Sequence, residues 1–546
     1  MAPTAPGGGG AARIIGASSL GTLFEWYDFY LYGALAGSFA AHFFSGVNET
    51  TSFLLALATF AVGFVVRPLG ALVFGRIGDR AGRKLGFLAT LAIMGVSTFL
   101  VGVLPDYDAI GIAAPLLLVA LRVLQGLAIG GEYGGAIVYV AEHAPAGRRA
   151  LHTSFIPAMA LAGLLLSLGV ISATRASMSA ADFDAWGWRL PFLLSIVLLA
   201  ISLWVRLRLE ESPVFRRMRE ERTLSRAPIS EALGRWENLR LVLAALFGAV
   251  VGQAVLFYVA TFYAYYFLER VARVDGLTTA LLTAVAVALG APLVVLSGRA
   301  ADRFGRKPLL LAATALAALL YFPLFGALLA AANPALAQAR IESPVVVEAR
   351  AEDCSLQFDP VGRRAFDARS CDVVKSYLAK AGVGYAMREP ASPGPARLLV
   401  GDTAVEPAET AALSAESRRE AARDFAARAG EALASAGYVA ADPSRIDRPR
   451  VVAILLALLA LAALASGAYA ALLAELFPAR IRYTALSFPQ NFGNGWFGGL
   501  LPAIAFAIVA ATGDVFAGLW YPVAVAALAF VVCACALPET RDRMIA

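Results

Sequence analysis

Charge is scarce in this sequence: Asp, Glu, Lys and Arg make up 16% of its 546 residues, against about 25% in soluble domains. With 59% of the chain hydrophobic, too little polar surface remains to suit a soluble enzyme. Four cysteines are too few for a disulfide scaffold. The three histidines form no metal set, and no nucleophile or phosphate-loop constellation is present, so no metal, cofactor or catalytic residue is expected. The net charge of +6 comes from arginines in short loops between apolar runs. It does not come from a basic stripe laced with aromatics, which argues against nucleic acid as a partner. What the chain has in excess is apolar length. A membrane-spanning helix takes about 20 apolar residues, so there is room for a dozen with chain left over.

Apolar windows predict spans near 16–44, 52–74, 85–104, 110–140, 152–174, 189–208, 240–267, 277–297, 308–332, 451–473, 484–511 and 516–537. The expected organisation is an N-terminal six-helix bundle over 1–208, a linker over 209–239, a C-terminal six-helix bundle built from 240–333 and 450–546, and a separate small domain over 334–449. Arg76, Arg80, Arg83 and Lys84 follow the second span, Arg148 and Arg149 the fourth, Arg299, Arg303, Arg306 and Lys307 the eighth, and Arg480 and Arg482 the tenth. The alternate loops SGVNETT, PDYDAI and ATGDV hold no Lys or Arg. The positive-inside rule then puts both termini and the linker in the cytoplasm and the 334–449 segment outside. No cleavable signal is expected in MAPTAPGGGGAAR, which has no apolar core.

The 334–449 segment carries 15 basic and 17 acidic groups, against 31 and 23 in the rest of the chain. It holds Cys354 and Cys371, whose pairing would suit an oxidising compartment; two unrelated buried thiols are the alternative. Alternation in SPVVVEA and ARLLVGDTAV predicts two or more strands with a turn at Gly401 and Asp402. DVVKSYLAKAG and ETAALSAESRREAARDFAARAGEALASAG predict helices, so a small α/β or α+β domain is expected.

GRIGDRAGRK at 75–84 and GRAADRFGRK at 298–307 fit one pattern, G-x-x-x-D-R-x-G-R-K, at equivalent places in the two halves. Glycine permits a tight turn there, and Asp and Arg can form ion pairs that break and re-form. Parallel six-span repeats with the substrate between them are a feature of major facilitator transporters. GTLFEWYDFYLYG (21–33), RVLQGLAIGGEYGGAIVYVAEHAP (122–145), GWRLPF (187–192), ESPVF (211–215), AELFPARIRYT (474–484) and LPET (537–540) resemble the metabolite:proton symporter family of that superfamily, a relative of the sugar porters. The resemblance implies an all-α polytopic fold of twelve helices in two six-helix repeats. It also implies a proton-coupled importer working by alternating access, as a monomer in the lipid bilayer of a bacterial cytoplasmic membrane. Its substrate would be a small organic acid such as a dicarboxylate or shikimate, or a zwitterionic osmolyte such as proline or betaine. Proton-driven export, or sensing through the outer segment, are the competing readings.

An ionisable group at membrane depth costs about 2.5–3.5 kcal/mol, so each one needs a role. Helical rise puts Asp28 about 18 Å from the inner end of its span and Arg122 about 15 Å from the outer end of its own, both near the midplane. An Asp28–Arg122 pair is expected, and the resemblance to proton-coupled sugar porters implies the same pairing; a static ion pair is the alternative. Glu25 shares the helix face of Asp28 and can share its proton. Arg67 and Glu132 are candidates for substrate contact or gating. Tyr27, Tyr30, Gln125, Gln253, Tyr258, Tyr263, Asn491, Asn494 and Trp496 suit a cavity between the halves, with interhelical packing as the alternative. At the inner end the resemblance implies a gate of Asp79, Arg80, Arg83 and Glu142 in the first half and Asp302, Arg303, Arg306 and Glu475 in the second.

Overall fold

The computed structural model describes residues 8–44, 59, 61–208, 210–355, 369–390, 394–407, 414–543 and 545. The predicted loop at 45–51 and the opening of the second predicted span lie outside those residues.

The apolar runs form helices because only intrasegment hydrogen bonding satisfies backbone polar groups away from water. The first half holds α1 (Gly8–Ala34), α2 (Arg67–Arg80), α3 (Arg83–Val103), α4 (Ala113–His143), α5 (Phe155–Ala176) and α6 (Leu190–Leu207). The second half begins with α7 (Trp236–Val271), α8 (Gly276–Phe304) and α9 (Arg306–Ala332). In the 334–449 segment a short helix, Pro334–Glu342, is followed by α10 (Ser370–Ala381) and α11 (Ala415–Ser435). The second half resumes with α12 (Arg448–Leu476), α13 (Arg482–Phe492) and α14 (Trp520–Ala536). Among the described residues, ten helices are long and apolar enough to cross a membrane.

The halves repeat one packing scheme. In the first, α2 and α3 both pack on α4; in the second, α8 and α9 both pack on α12. The halves meet through α2 on α13 and α5 on α8, which are equivalent seams. Small residues make the close crossings possible: a Cβ on Gly130 would strike the Arg67 carbonyl, and one on Gly134 would strike Ser487 Oγ in the other half. Two helices bordering the second half's inner face are irregular. α7 contains π-helical turns at Leu246–Val250, Val259–Tyr263 and Phe267–Val271, and α13 runs into another at Gly493–Gly498.

The 334–449 segment contains a mixed four-stranded sheet in the order β2-β1-β3-β4, from β1 (Val345–Glu348), β2 (Ala386–Arg388), β3 (Arg397–Val400) and β4 (Thr403–Val405). α10 forms the crossover between the parallel pair β1 and β2, and β3 and β4 make a hairpin whose turn is Gly401 (φ +56°) and Asp402. Cys354 and Cys371 are disulfide-bonded, with their Cα atoms 5.2 Å apart.

The segment is fastened to the second half. Arg273, after α7, donates Nη2 to the Ala381 carbonyl (2.7 Å) and Nη1 to the Tyr438 carbonyl. Asn333, after α9, donates to the carbonyls of Ala272 and Val439, both at 3.0 Å. Tyr385 N donates to Gly513 O (2.8 Å), Ala441 N to Arg273 O (3.0 Å) and Asp447 N to Ala331 O (3.0 Å).

Candidate functional site

A small cavity of about 20 Å³, room for about one water molecule, lies between the halves. The first half lines it with Trp26, Arg67, Ile129, Tyr133, Pro157 and Ala160, the second with Gln253, Phe257, Gln490, Asn491 and Asn494. Arg67 is 2% exposed, and its guanidinium carbon lies 4.6 Å from the Phe64 ring, 4.7 Å from Phe29 and 5.9 Å from Trp26. Its Nε and Nη2 make no hydrogen bond, and no ion pair to Arg67 is formed among the described residues. The side-chain oxygens of Gln253 and Gln490 likewise accept nothing. Beside the cavity, Tyr469 Oη donates to Tyr133 Oη (2.7 Å) and receives Gln490 Nε2 (3.2 Å), joining the halves.

Four of the expected cavity residues therefore line it: Arg67, Gln253, Asn491 and Asn494. The others do not. Tyr27 Oη donates to Pro191 O (2.8 Å) inside the first half. Tyr30 and Tyr258 stack on Phe262, at 5.7 and 5.3 Å. Tyr263 packs between Phe325 and Phe506. Trp496 is 43% exposed and stacks on Phe492 at 5.0 Å. Tyr258 lies about 140° around α7 from Gln253 within one regular stretch, Val251–Tyr258, whereas Tyr263 and Trp496 lie inside π turns that shift their register relative to Gln253 and Asn491. Trp26, Tyr133, Phe257 and Gln490 line the cavity without having been expected, since aromatics in an apolar span read first as packing.

The buried charges of the first half are also arranged differently from expectation. Among the described residues, no ion pair joins Asp28 to Arg122. Arg122 Nη1 donates to Gln125 Oε1 (2.6 Å) and its guanidinium lies 3.8 Å from the centre of the Tyr32 ring. Gln125 Nε2 donates to Thr98 Oγ1 (2.9 Å), and Thr98 faces Asp28. Asp28 and Arg122 are thus joined through Thr98 and Gln125, because matched depth does not fix rotation about each helix axis. Gln125 belongs to this chain and not to the cavity. Glu132 is also outside the cavity: its Oε1 accepts Arg206 Nη2 at 2.7 Å. Arg206, near the end of α6, was not anticipated.

At the end of the bundle carrying the repeated motif, the halves are tied crosswise. Asp79 accepts the Tyr483 and Thr484 amides (3.2 and 2.9 Å) and Thr484 Oγ1 (2.7 Å) at the start of α13. Asp302 accepts the Ala150 and Leu151 amides (3.0 and 2.9 Å) ahead of α5. Each carboxylate sits on a helix N-terminus of the opposite half, where orphan N–H groups and the helix dipole favour an anion. Arg83 binds Asp79 (2.5 Å) and the Ala479 carbonyl (2.7 Å), while Glu142 accepts Arg482 Nη1 (2.8 Å). In the mirrored set Arg306 holds Glu475 in a two-pronged contact (2.9 and 3.1 Å) and reaches Asp302 at 3.1 Å, and Arg149 approaches Glu475 at 3.5 Å. Arg80 and Arg303 are exposed and take no part. At one residue from Asp79 and Asp302 they point about 100° away, whereas Arg83 and Arg306 open the next helices, α3 and α9, and the turns at Gly82 and Gly305 bring them back onto the aspartates.

Two carboxylates complete this end, both from motifs the sequence displays without revealing a role. Glu211 accepts the Arg83 and Lys84 amides (3.1 and 3.2 Å) at the start of α3. Glu539 accepts the Arg306 and Lys307 amides (3.0 Å each) at the start of α9. Their neighbours Ser212 and Thr540 donate to Glu142 and Glu475. The turn glycines beneath are Gly82 (φ +129°) and Gly305 (φ +102°), and a Cβ on either would strike Glu211 or Glu539. Burial pushes the Glu539 carboxyl up, but the N–H groups of Arg306, Lys307, Arg541 and Thr540 outweigh it and hold it below the usual carboxylate range. Its stabilising contribution is therefore present above the unfolded carboxylate pKa and is lost as pH falls through the lowered folded value. Glu539→Gln is expected to lower thermal stability at neutral pH, with the difference from the parent vanishing in acid, in melting curves of the purified protein across pH. A constant difference at every pH would rule this role out.

Two structurally repeated helical halves, a cavity between them and ion pairs that tie one end are the layout of a membrane-embedded transporter of the major facilitator type. Over 98% of each chain it resembles the proton:xylose symporter XylE bound to 6-bromo-6-deoxy-D-glucose, with a TM-score of 0.62 at 17% identity. Residues 14–341 match the family described as "Sugar (and other) transporter". The chain belongs to that family, so transport and not catalysis is its activity. It is 38% identical over 330 residues to the inner membrane metabolite transport protein YhjE of Escherichia coli (strain K12), covering 59% of this chain and 74% of that protein. It is also 38% identical over 324 residues to the shikimate transporter of the same organism, covering 58% and 73%.

Proposed function

We propose that this protein imports a small organic acid anion together with protons, by alternating access. The observation that carries the reading is Arg67: a buried guanidinium lining the cavity, ringed by aromatic faces and with no ion pair among the described residues. A buried cation is stable when a counter-charge reaches it, and a substrate carboxylate supplies one. The amides of Gln253, Gln490 and Asn494 would orient the remaining oxygens. That a relative sharing 38% identity is a shikimate transporter agrees with a carboxylate substrate. Asp28, with Glu25 beside it, is the proton carrier, and Arg122 responds to its charge through Gln125 and Thr98. The crosswise contacts of Asp79, Arg83, Glu142, Asp302, Arg306 and Glu475 are the inner gate, closed in this structure.

The proposal includes twelve spans in two bundles, 1–208 and 240–333 with 450–546, joined by the linker 209–239. α1 and the helix that ends at Arg80 supply the two spans beyond the ten. Both termini lie in the cytoplasm, the membrane is a bacterial inner membrane, and the monomer is the working unit. The insert 334–449 lies outside, in keeping with the Cys354–Cys371 bond, which suits an oxidising compartment.

The aromatic lining of Trp26, Tyr133 and Phe257 favours a second reading, a zwitterionic osmolyte whose cationic end rests on ring faces. Uptake into proteoliposomes under an inward proton gradient separates the two. Accumulation of shikimate or a dicarboxylate, abolished by a protonophore, is expected; accumulation of betaine or proline alone would select the second reading, and no accumulation of either class would sink both.

A further inference from the structure

We propose that Arg206 is a positioning residue that exchanges between Glu132 and Glu25, making these two carboxyls a second proton site beside Asp28. This deepens the proton-coupled reading above and rests on it.

Three observations carry it. Arg206 and Glu132 are buried, at 1% and 0% exposure, and paired through Nη2 and Oε1 at 2.7 Å. Glu25, 2% exposed, is buried as deeply, yet neither of its oxygens accepts a hydrogen bond, nor does Glu132 Oε2. Arg206 Nε also has no partner. Finally, the Arg206 guanidinium lies in a notch on α1: a Cβ on Gly21 would fall on Nη2. Glu25 is four residues after Gly21, one turn along the same helix face. The guanidinium that holds Glu132 therefore already rests on the turn below Glu25, and a rotamer change would take it from one carboxyl to the other. The Phe87 ring, 3.6 Å from the guanidinium carbon, flanks it.

The charge count explains why a proton must move with it. Glu25, Glu132 and Arg206 together are neutral only when one proton is aboard, Arg67, which also faces Glu25, being the cation that the substrate carboxylate neutralises. Arg206 pairs with Glu132 in the arrangement observed, to which the exchange assigns a proton on Glu25. When the proton passes from a Glu25 oxygen to Glu132 Oε2, Arg206 Nη2 leaves Glu132 for the new carboxylate, and the cluster stays neutral. The other ionisable groups facing Glu25 are Asp28 on its own helix, Arg67 on α2 and the Tyr133 hydroxyl on α4.

The test uses no substrate, so failure of the transport reading and failure of this one are separable. Infrared spectra of the purified protein in lipid report protonated buried carboxyls at neutral pH. Glu25→Gln and Glu132→Gln are each expected to remove the same component, because the remaining carboxyl is then held ionised by Arg206. Asp28→Asn should leave that component in place, and Glu132→Asp should restore it. Arg206→Gln should enlarge it, since Glu132 then loses its cation and Glu25 keeps only Arg67 beside it; this opposite sign keeps the test open if Glu132→Gln fails to fold. A component unchanged in Glu132→Gln, or unchanged in Arg206→Gln, would overturn the exchange and leave a static ion pair.

Discussion

Asp28→Asn is expected to abolish concentrative uptake in proteoliposomes while preserving exchange of labelled for unlabelled substrate. Asn keeps the size and polarity of the side chain but cannot carry the proton. A zwitterion carried with one proton down 100 mV gains about 2.3 kcal/mol, enough for about 50-fold accumulation, whereas a monoanion carried with one proton crosses without net charge and is driven by the pH gradient, about tenfold per unit. Without the carrier that driving force is disconnected, and substrate should only equilibrate. Exchange should survive because the cavity is formed by other residues, while Asp28 faces Thr98. Full accumulation by the variant would remove Asp28 from the coupling and leave Glu25 as the remaining carboxyl on that face of α1.

Arg67→Gln is expected to weaken binding of an organic acid by on the order of 30-fold or more, the loss incurred when one member of a desolvated charge pair is removed at a cost of about 2 kcal/mol or above. Titration calorimetry on the purified protein reads it directly. Arg67→Lys should recover only part, because an ammonium cannot present the planar fork that meets both carboxylate oxygens. The paired control is Trp26→Leu, which removes a ring face but no charge. If the substrate is an anion, the arginine variant is the more damaging; if it is a zwitterion seated on aromatic faces, the order reverses. Equal, small effects from both would mean that the cavity beside Arg67 is not where substrate sits.

Some of this was written plainly in the chain. The duplicated motif marks equivalent turns, and Gly82 and Gly305 do occupy the same backbone conformation. Arg67 stood out because a cation at that depth demands a reason. What stayed illegible was rotational. Asp28 and Arg122 were matched for height, yet the arginine turns toward Gln125 and Tyr32. Tyr263 and Trp496 lie inside π turns of α7 and α13, and no residue pattern announces an extra residue in a turn, whereas Tyr258 misses the cavity by ordinary helical spacing from Gln253. Arg206 was hidden for another reason. A basic residue at the end of a span reads as an anchor at the membrane surface, and only the glycine notch on α1 reveals that its head group is drawn inward. Arg80 and Arg303 stand one residue from the aspartates and point away, while the turn glycines of the motif bring Arg83 and Arg306 back onto them.

The seam that holds the 334–449 segment has an evolutionary reading. On the segment's side, the long-range hydrogen bonds that fasten it use, among the described residues, main-chain groups: the carbonyls of Ala381, Tyr438 and Val439 and the amides of Tyr385, Ala441 and Asp447. The side chains that grip, Arg273 and Asn333, belong to the transporter. Such a joint recognises a backbone shape and is indifferent to most of the residues that produce it. The 334–449 segment is then free to diverge rapidly in sequence, or to be replaced by another of like contour, while its socket stays the same.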